Sequence, residues 1–299
     1  MTEVSPVSAV LITWQRCETL LATLARLVAL DPPLAEIIVV DNGSVDGTAA
    51  AVRAQFPQVI LLRRERNAGI DAYNDGFRRA TQAYLLILDD DSYPAPDAVA
   101  RAAARLQAQP RTAAVAFRIT DAVTGADARY WFLPAGDRPC PATAFVGCGA
   151  LVRRNALLAA GGYAREFFLY ENEVELCLRL RLAGQNIEYC PECVAHHPSS
   201  VRRGTPNMIY YGTKNKLLTV WRFLPPRRAL ALTAEFLLTN CYLTLRFGHA
   251  VRRWQAVLQA LRDWDSYRTR TLPRPLTSDE QELLAPLVDE LRLSVWMKR

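Results

Sequence analysis

Four strand-like runs each end on, or lead to, a group able to hold a ligand, and this spacing constrains the chain more than any other feature. Residues 8–12 run into Thr13, residues 37–40 into Asp41, residues 59–62 lead to Asn67, and residues 84–88 run into Asp89-Asp90-Asp91. Helix-patterned stretches separate the runs, which predicts parallel strands joined by right-handed crossovers. In such a sheet the C-terminal ends of the strands share one edge, where ligands bind. Thr13, Asp41, Asn67 and the Asp triplet are therefore expected to converge on one crevice. A crevice that gathers carboxylates and ends in Asp-x-Asp suits a sugar, a ribose or a metal-bound diphosphate.

The chain is 299 residues long and 51% hydrophobic, enough for one large core or for a domain with an appendage. Its start, Met1-Thr2-Glu3-Val4-Ser5-Pro6, lacks the basic and apolar regions of a signal peptide. Seven scattered cysteines, an odd number, point to free thiols and a reducing cytoplasm. The net charge of +6 is uneven: residues 201–275 carry +11 and the remainder −5. A basic segment attracts anionic lipid, nucleic acid or phosphorylated acceptors, or is simply a solvated face.

Helices are expected at 18–30, 47–55 and 71–83, from Pro94 and Pro96 to about 109, and at 171–182. Further strands are expected at 112–119, 145–152 and 187–195. Residues 120–145, with two glycines and three prolines, read as irregular. Small residues in Gly147-Cys148-Gly149 let a ligand or another backbone approach closely, but the spacing is not a dinucleotide fingerprint. The apolar run at 229–245 is short for a membrane span and carries Glu235; its flanking arginines favour a helix in the bilayer interface or packed on the core. Cys190-Pro191-Glu192-Cys193 followed by His196 and His197 carries zinc-ligand residue types, although strand spacing suits zinc poorly.

Together these motifs resemble the family 2 glycosyltransferases of GT-A fold, over roughly residues 6–225. The resemblance rests on Thr13-Trp14-Gln15-Arg16, on Val39-Val40-Asp41-Asn42-Gly43-Ser44-Val45-Asp46-Gly47-Thr48 and on Asn67-Ala68-Gly69 with Ala72, Asn74 and Gly76. It rests also on Leu88-Asp89-Asp90-Asp91 with Pro94, and on Gly161-Gly162-Tyr163 with Phe168, Tyr170 and the stretch to Arg179. It implies an α/β GT-A fold, Rossmann-like, with a mixed sheet and helices on both faces, at 1–225. A nucleotide-sugar half would occupy 1–119 and an acceptor half 120–225. A basic, mainly helical C-terminal extension would follow at 226–299.

The resemblance also implies roles. Thr13, Arg16, Asp41, Asn67 and Asp89 would bind the donor, Asp41 through a uracil or thymine N–H and Asp89 through the ribose. Asp91 and His196 would hold Mg²⁺ or Mn²⁺ on the diphosphate. An acidic residue opening the 171–182 helix would be the general base. The family's acceptor block reads Glu-Asp-x-Asp before Leu-Cys, whereas this chain has Asn172-Glu173-Val174-Glu175-Leu176-Cys177. Glu173 stands in the base position, one methylene longer, with Glu171 its rival. A carboxylate at a helix N-terminus stays ionised and can accept the acceptor's proton; one base and no second nucleophile predict inversion.

The expected activity is transfer from a UDP- or dTDP-sugar to a glycan or lipid-linked acceptor in cell-envelope polysaccharide synthesis. The expected place is the cytoplasm, at most peripheral on the inner face of the membrane; nucleic acid is not the favoured partner. Acceptor specificity would reside in residues 120–145 and 196–225. Two alternatives stay open: a non-catalytic sugar-nucleotide-binding scaffold, and a polyanion-binding protein acting through the basic segment.

Overall fold

A computed structural model describes residues 5–130, 132–198, 205–271 and 275–289. The residues at 1–4 read for a signal peptide lie outside the described residues, as do Arg202, Arg203 and Arg274 of the basic segment and the 199–204 part of the expected specificity segment.

The chain divides into two compact units, Met1–Tyr163 with Arg179–Ser200, and Ala164–Leu178 with Val201–Arg299. The first is built on a sheet in the order β3-β2-β1-β4-β8-β6-β9-β5, with β7 paired to β9. Its strands are β1 (Ser5–Thr13), β2 (Leu34–Asp41), β3 (Ile60–Arg63), β4 (Tyr84–Asp89), β5 (Tyr93–Pro94), β6 (Thr112–Asp121), β7 (Cys140–Pro141), β8 (Ala150–Arg153) and β9 (Asn186–His197). β3, β2, β1 and β4 pair in parallel, as the alternation of apolar runs and helices predicts. β8 enters antiparallel between β4 and β6, and β9 runs parallel to β6, which makes the sheet mixed.

The strands read as nearly continuous apolar runs because helices cover both faces of a parallel sheet. The crossovers are α1 (Cys17–Val28), α2 (Thr48–Gln55), α3 (Tyr73–Arg79) and α4 (Ala98–Ala108), with α5 (Arg154–Ala159) following β8. α1 buries Leu20, Leu24 and Leu27, one stripe at helical spacing, into a core with Val7, Leu11, Val39 and Leu86. α3 is shorter than the expected 71–83: a 3₁₀ turn at Gly69–Ala72 precedes it and the chain leaves the helix at Ala80. The expected strand at 145–152 is also shorter, because Val146 and Gly149 close a turn before β8 begins.

α3 lies so close to β1 that a Cβ at Gly76 would stand 2.4 Å from Val10 Cγ1. Only a residue without a side chain fits there.

The second unit is helical. α6 (Asn172–Leu182) begins in it, and α7 (Pro206–Phe223), α8 (Pro226–Phe247), α9 (Ala250–Thr271) and α10 (Ser278–Asp289) complete it. α7 is buried over most of its C-terminal two-thirds, including Lys214, Asn215 and Lys216. Lys214 Nζ lies 3.0 Å from Asp263 of α9, and Tyr267 of α9 stacks on Phe167 at 5.5 Å. Among the described residues no helix is long and apolar enough to cross a membrane.

The Gly76 contact gives a direct test. Gly76→Ala should lower unfolding free energy by about 1–3 kcal/mol, the usual cost of overpacking, measured by urea denaturation. Adding Val10→Ala should make the double variant less destabilised than the sum of the singles. An unchanged midpoint for Gly76→Ala would mean that α3 does not pack this closely.

Candidate active site

Sheet register brings the strand-end groups together. Thr13 is the partner of Asp41 across β1 and β2, and Ile12 is the partner of Asp89 across β1 and β4. The side chains at this edge then take different tasks.

Asp41 is fully buried. Its Oδ1 accepts from the Ser44 backbone N–H at 2.8 Å. Its Oδ2 is buried without a hydrogen bond, with Arg63 Nε 3.6 Å away. A buried carboxylate oxygen left without a donor is costly unless a ligand supplies one.

Asn67 Oδ1 accepts from Asn42 Nδ2 at 2.9 Å and from the Gly69 N–H at 2.8 Å. Asn42 also donates to the Gly69 carbonyl and accepts from the Ala68 N–H, both at 2.9 Å. These two amides knit the loop after β2 to the loop after β3. Asn42 belongs to the quoted Val39–Thr48 signature, but sequence assigned it no role of its own.

In the Asp triplet the middle residue points inward. Asp90 Oδ2 accepts from Thr13 Oγ1 at 2.8 Å and Oδ1 from Arg16 Nη1 at 2.7 Å, while Thr23 donates to the Asp90 carbonyl at 2.8 Å. Burial pushes the Asp90 carboxyl up to about 7, and Arg16 and Thr13 only partly offset it. Thr13 and Arg16 thus act first on Asp90. Arg16 also bridges to Asp91, its Nη2 donating to Asp91 Oδ2 at 2.7 Å.

Asp89 and Asp91 face His197. Its Nε2 is 3.2 Å from Asp91 Oδ1 and 3.7 Å from Asp89 Oδ2. Burial opposes ionisation of Asp91, but the adjacent His197 and the hydrogen bond from Arg16 prevail and hold its carboxyl below the usual range. For His197 burial disfavours the imidazolium, and the adjacent Asp91 carboxylate with the charge of Asp89 outweighs it, raising its pKa. Asp89 Oδ1 accepts from the buried Tyr73 hydroxyl at 3.1 Å. The donor atoms of Asp89, Cys148 and His197 all lie within 4.8 Å of one another, a grouping suited to a metal ion.

His196 sits elsewhere. Its Nδ1 is 2.9 Å from Thr120 Oγ1, and its ring lies 5.2 Å from that of Tyr93. Successive residues of a strand point to opposite faces, so of the two histidines it is His197 that meets the acidic pair. The sulfurs of Cys190 and Cys193 are 2.8 Å apart within β9.

In the helical unit, Glu173 lies half-buried in the first turn of α6. Glu171 Oε1 is 3.5 Å from Lys216 Nζ. Glu175 is fully buried and accepts from the Tyr267 hydroxyl at 3.1 Å. Tyr170 and Glu171 both adopt positive φ, 66° and 63°, a costly conformation for residues with side chains. Asn215 Nδ2 holds this turn through the carbonyls of Leu169 at 2.9 Å and Tyr170 at 2.8 Å.

A mixed sheet of this order, with carboxylates at the ends of β2 and β4, is the architecture of a GT-A glycosyltransferase. The family model described as Glycosyl transferase family 2 matches residues 8–158, and the chain belongs to that family. No curated protein sequence matches the chain.

Solved structures of the same fold include GalNAc-T7 with UDP, GalNAc and Mn²⁺ (15% identity, TM-score 0.59, 94% of this chain and 54% of that one). A second is the mannosyltransferase PcManGT from Pyrobaculum calidifontis with GDP-Man and Mn²⁺ (20% identity, TM-score 0.57, 98% and 88%). A third is residues 1–349 of S. aureus TarS (16% identity, TM-score 0.61, 98% and 92%). The chain spans about half the length of the GalNAc-T7 structure.

The amide tie makes a prediction. Asn42→Ala removes three hydrogen bonds and strands the Ala68 N–H and the Gly69 carbonyl. It should cost about 1–3 kcal/mol in urea denaturation. A loss under about 0.5 kcal/mol, the range of an ordinary surface change, would show that the two loops do not depend on it.

Proposed function

We propose that the protein is a divalent-cation-dependent, inverting glycosyltransferase that moves a sugar from a nucleoside-diphosphate donor to a hydroxyl of a glycan or lipid-linked acceptor. The observation that carries this reading is the meeting of Asp89, Asp91 and His197 around one imidazole nitrogen, in a chain of this family. Asp89 and His197 present ligand atoms within 4.8 Å of one another, and Asp91 Oδ1 stands 3.2 Å from the same imidazole nitrogen, which supports a divalent cation here. Asp91 and His197 would be its principal ligands, with Asp89 shared between it and the ribose. When bound, the cation neutralises charge on the diphosphate leaving group.

The chain's own residues do the rest. Asp41 Oδ2 would accept the N–H of a uracil or thymine, which supports a UDP- or dTDP-sugar. Arg16 keeps Asp91 ionised and oriented. Glu173 would take the acceptor's hydroxyl proton as the acceptor oxygen bonds to the anomeric carbon and the bond to the diphosphate breaks. Attack opposite the leaving group inverts the configuration. Glu173 is favoured over its neighbours because it stands in the family's base position and is only half-buried, whereas Glu175 is fully buried.

Three variants test the reading, with nucleotide binding followed by calorimetry in the presence of Mn²⁺. Asp91→Ala and His197→Ala should abolish the Mn²⁺ enhancement of UDP or dTDP binding, whereas His196→Ala should retain it. The reverse pattern for the histidines would sink the assignment. Glu173→Gln should lower transfer about 10²-fold with donor binding unchanged. If Glu171→Gln is instead inactive and Glu173→Gln is not, Glu171 is the base; if the parent transfers nothing from any donor it binds, the scaffold reading stands.

The membrane reading has its own support. Along α9, Val251, Trp254, Leu258 and Leu261 form an apolar stripe, each more than half exposed, beside exposed Arg252 and Arg262. Such a stripe suits an anionic bilayer surface. Binding to phosphatidylglycerol vesicles should exceed binding to neutral ones, weaken with salt, and fall in Trp254→Glu/Leu258→Glu. Equal partition into both vesicle types would leave a solvated face.

A further inference from the structure

Cys148 has no part in the family-based reading of the site, yet it is delivered into it. It lies in the turn at residues 146–149, closed by the Gly149 N–H bonding to the Val146 carbonyl at 3.0 Å. The turn cannot draw back readily. A Cβ at Gly149 would stand 2.6 Å from Ile119 Cδ1 and 2.8 Å from Ala195 Cβ, so the backbone is already seated on β6 and β9. Cys148 is 2% exposed. Its sulfur stands with the Asp89 carboxylate and a His197 ring nitrogen, all within 4.8 Å of one another.

A buried cysteine is most often a small apolar filler. That role explains its burial and its neighbour Tyr130, whose hydroxyl is 4.0 Å from the sulfur. It does not explain a sulfur grouped with a carboxylate and an imidazole at the mouth of the Asp-x-Asp turn.

We propose that Cys148 is a thiolate donor to the cation held by Asp89, Asp91 and His197, and that it biases the site toward thiophilic ions such as Co²⁺ and Zn²⁺ and away from Mg²⁺. The inference rests on the cation-site reading above. On binding, the Cys148 S–H bond breaks, a sulfur–metal bond forms, and one proton leaves to solvent. A thiolate is a soft donor and Mg²⁺ demands oxygen and retains its waters, so the sulfur strengthens the binding of ions late in the divalent series far more than that of Mg²⁺.

The test is a Co²⁺ titration of the full chain. Visible ligand-field bands report that Co²⁺ is bound; a near-ultraviolet thiolate-to-cobalt charge-transfer band reports sulfur in its coordination sphere. The proposal expects both in the parent, and loss of the charge-transfer band in Cys148→Ser and Cys148→Ala while Cys190→Ser and Cys193→Ser keep it. In competition, Zn²⁺ affinity of Cys148→Ser should fall about 10-fold or more, at or above the low end for losing even a supporting group, with Mg²⁺ affinity nearly unmoved. Co²⁺ bound without the charge-transfer band, or a band that survives in both Cys148 variants and vanishes in Cys190→Ser, would overturn the role of Cys148 and leave the cation site standing. Absence of Co²⁺ binding, or binding indifferent to Asp91→Ala, would overturn the cation site and the thiolate with it.

Discussion

The buried carboxyl of Asp90 sets the direction of everything at the sheet edge. It hangs from Thr13 on β1 and from Arg16 just beyond it, and its own carbonyl is held by Thr23 on α1. With the middle acid turned into the protein, Asp89 and Asp91 are the two carboxylates that meet His197. Burying a carboxyl is costly, and burial pushes the Asp90 carboxyl up to about 7. The donors from Thr13 and Arg16 offset part of it. Arg16 then continues to Asp91, so one guanidinium links the inner acid to an outer one.

The same economy of contacts appears at the other strand ends. Asn42 and Asn67 tie the two loops together, and Asp41 Oδ2 is one of several buried carboxylate oxygens without a hydrogen bond. Backbone shape comes from these short polar ties and from the close seating of α3 on β1 at Gly76. Asp41, Asp89, Asp91 and His197 are the groups on which the proposed donor and cation sites rest. In the helical unit a strained turn at Tyr170 and Glu171, clamped by Asn215, leads into the helix that carries Glu173.

Much of this was legible in the residue order. Apolar runs of strand length broken by amphipathic stretches dictate parallel pairing, and an acid just after a run must lie at the strand's C-terminal edge. Which side chain of an adjacent pair faces the ligand was less legible. The pairing of β6 with β9 jumps from Phe117–Cys190 to Arg118–Val194, so the bulge at residues 191–193 breaks the alternation that would otherwise assign a face. The resemblance pointed to His196, whereas it is His197 that stands beside Asp89 and Asp91. Thr13 and Asn67 lie at that C-terminal edge, where the Thr13 hydroxyl donates to Asp90 and Asn67 Oδ1 accepts from Asn42 and the Gly69 N–H. Cys148 was hidden for another reason: a turn interrupts what reads as one strand, and only the fold brings that turn to the Asp-x-Asp segment.

Asp91 and His197 are proposed above to hold a divalent cation beside a nucleotide seated on Asp41. Anomalous diffraction from crystals grown with Mn²⁺ and UDP or dTDP tests it most directly. The account predicts one strong manganese peak in contact with Asp91 and His197, with the pyrimidine base against Asp41 Oδ2. A nucleotide bound at Asp41 with no manganese peak at those two residues, or manganese held at His196, would contradict it.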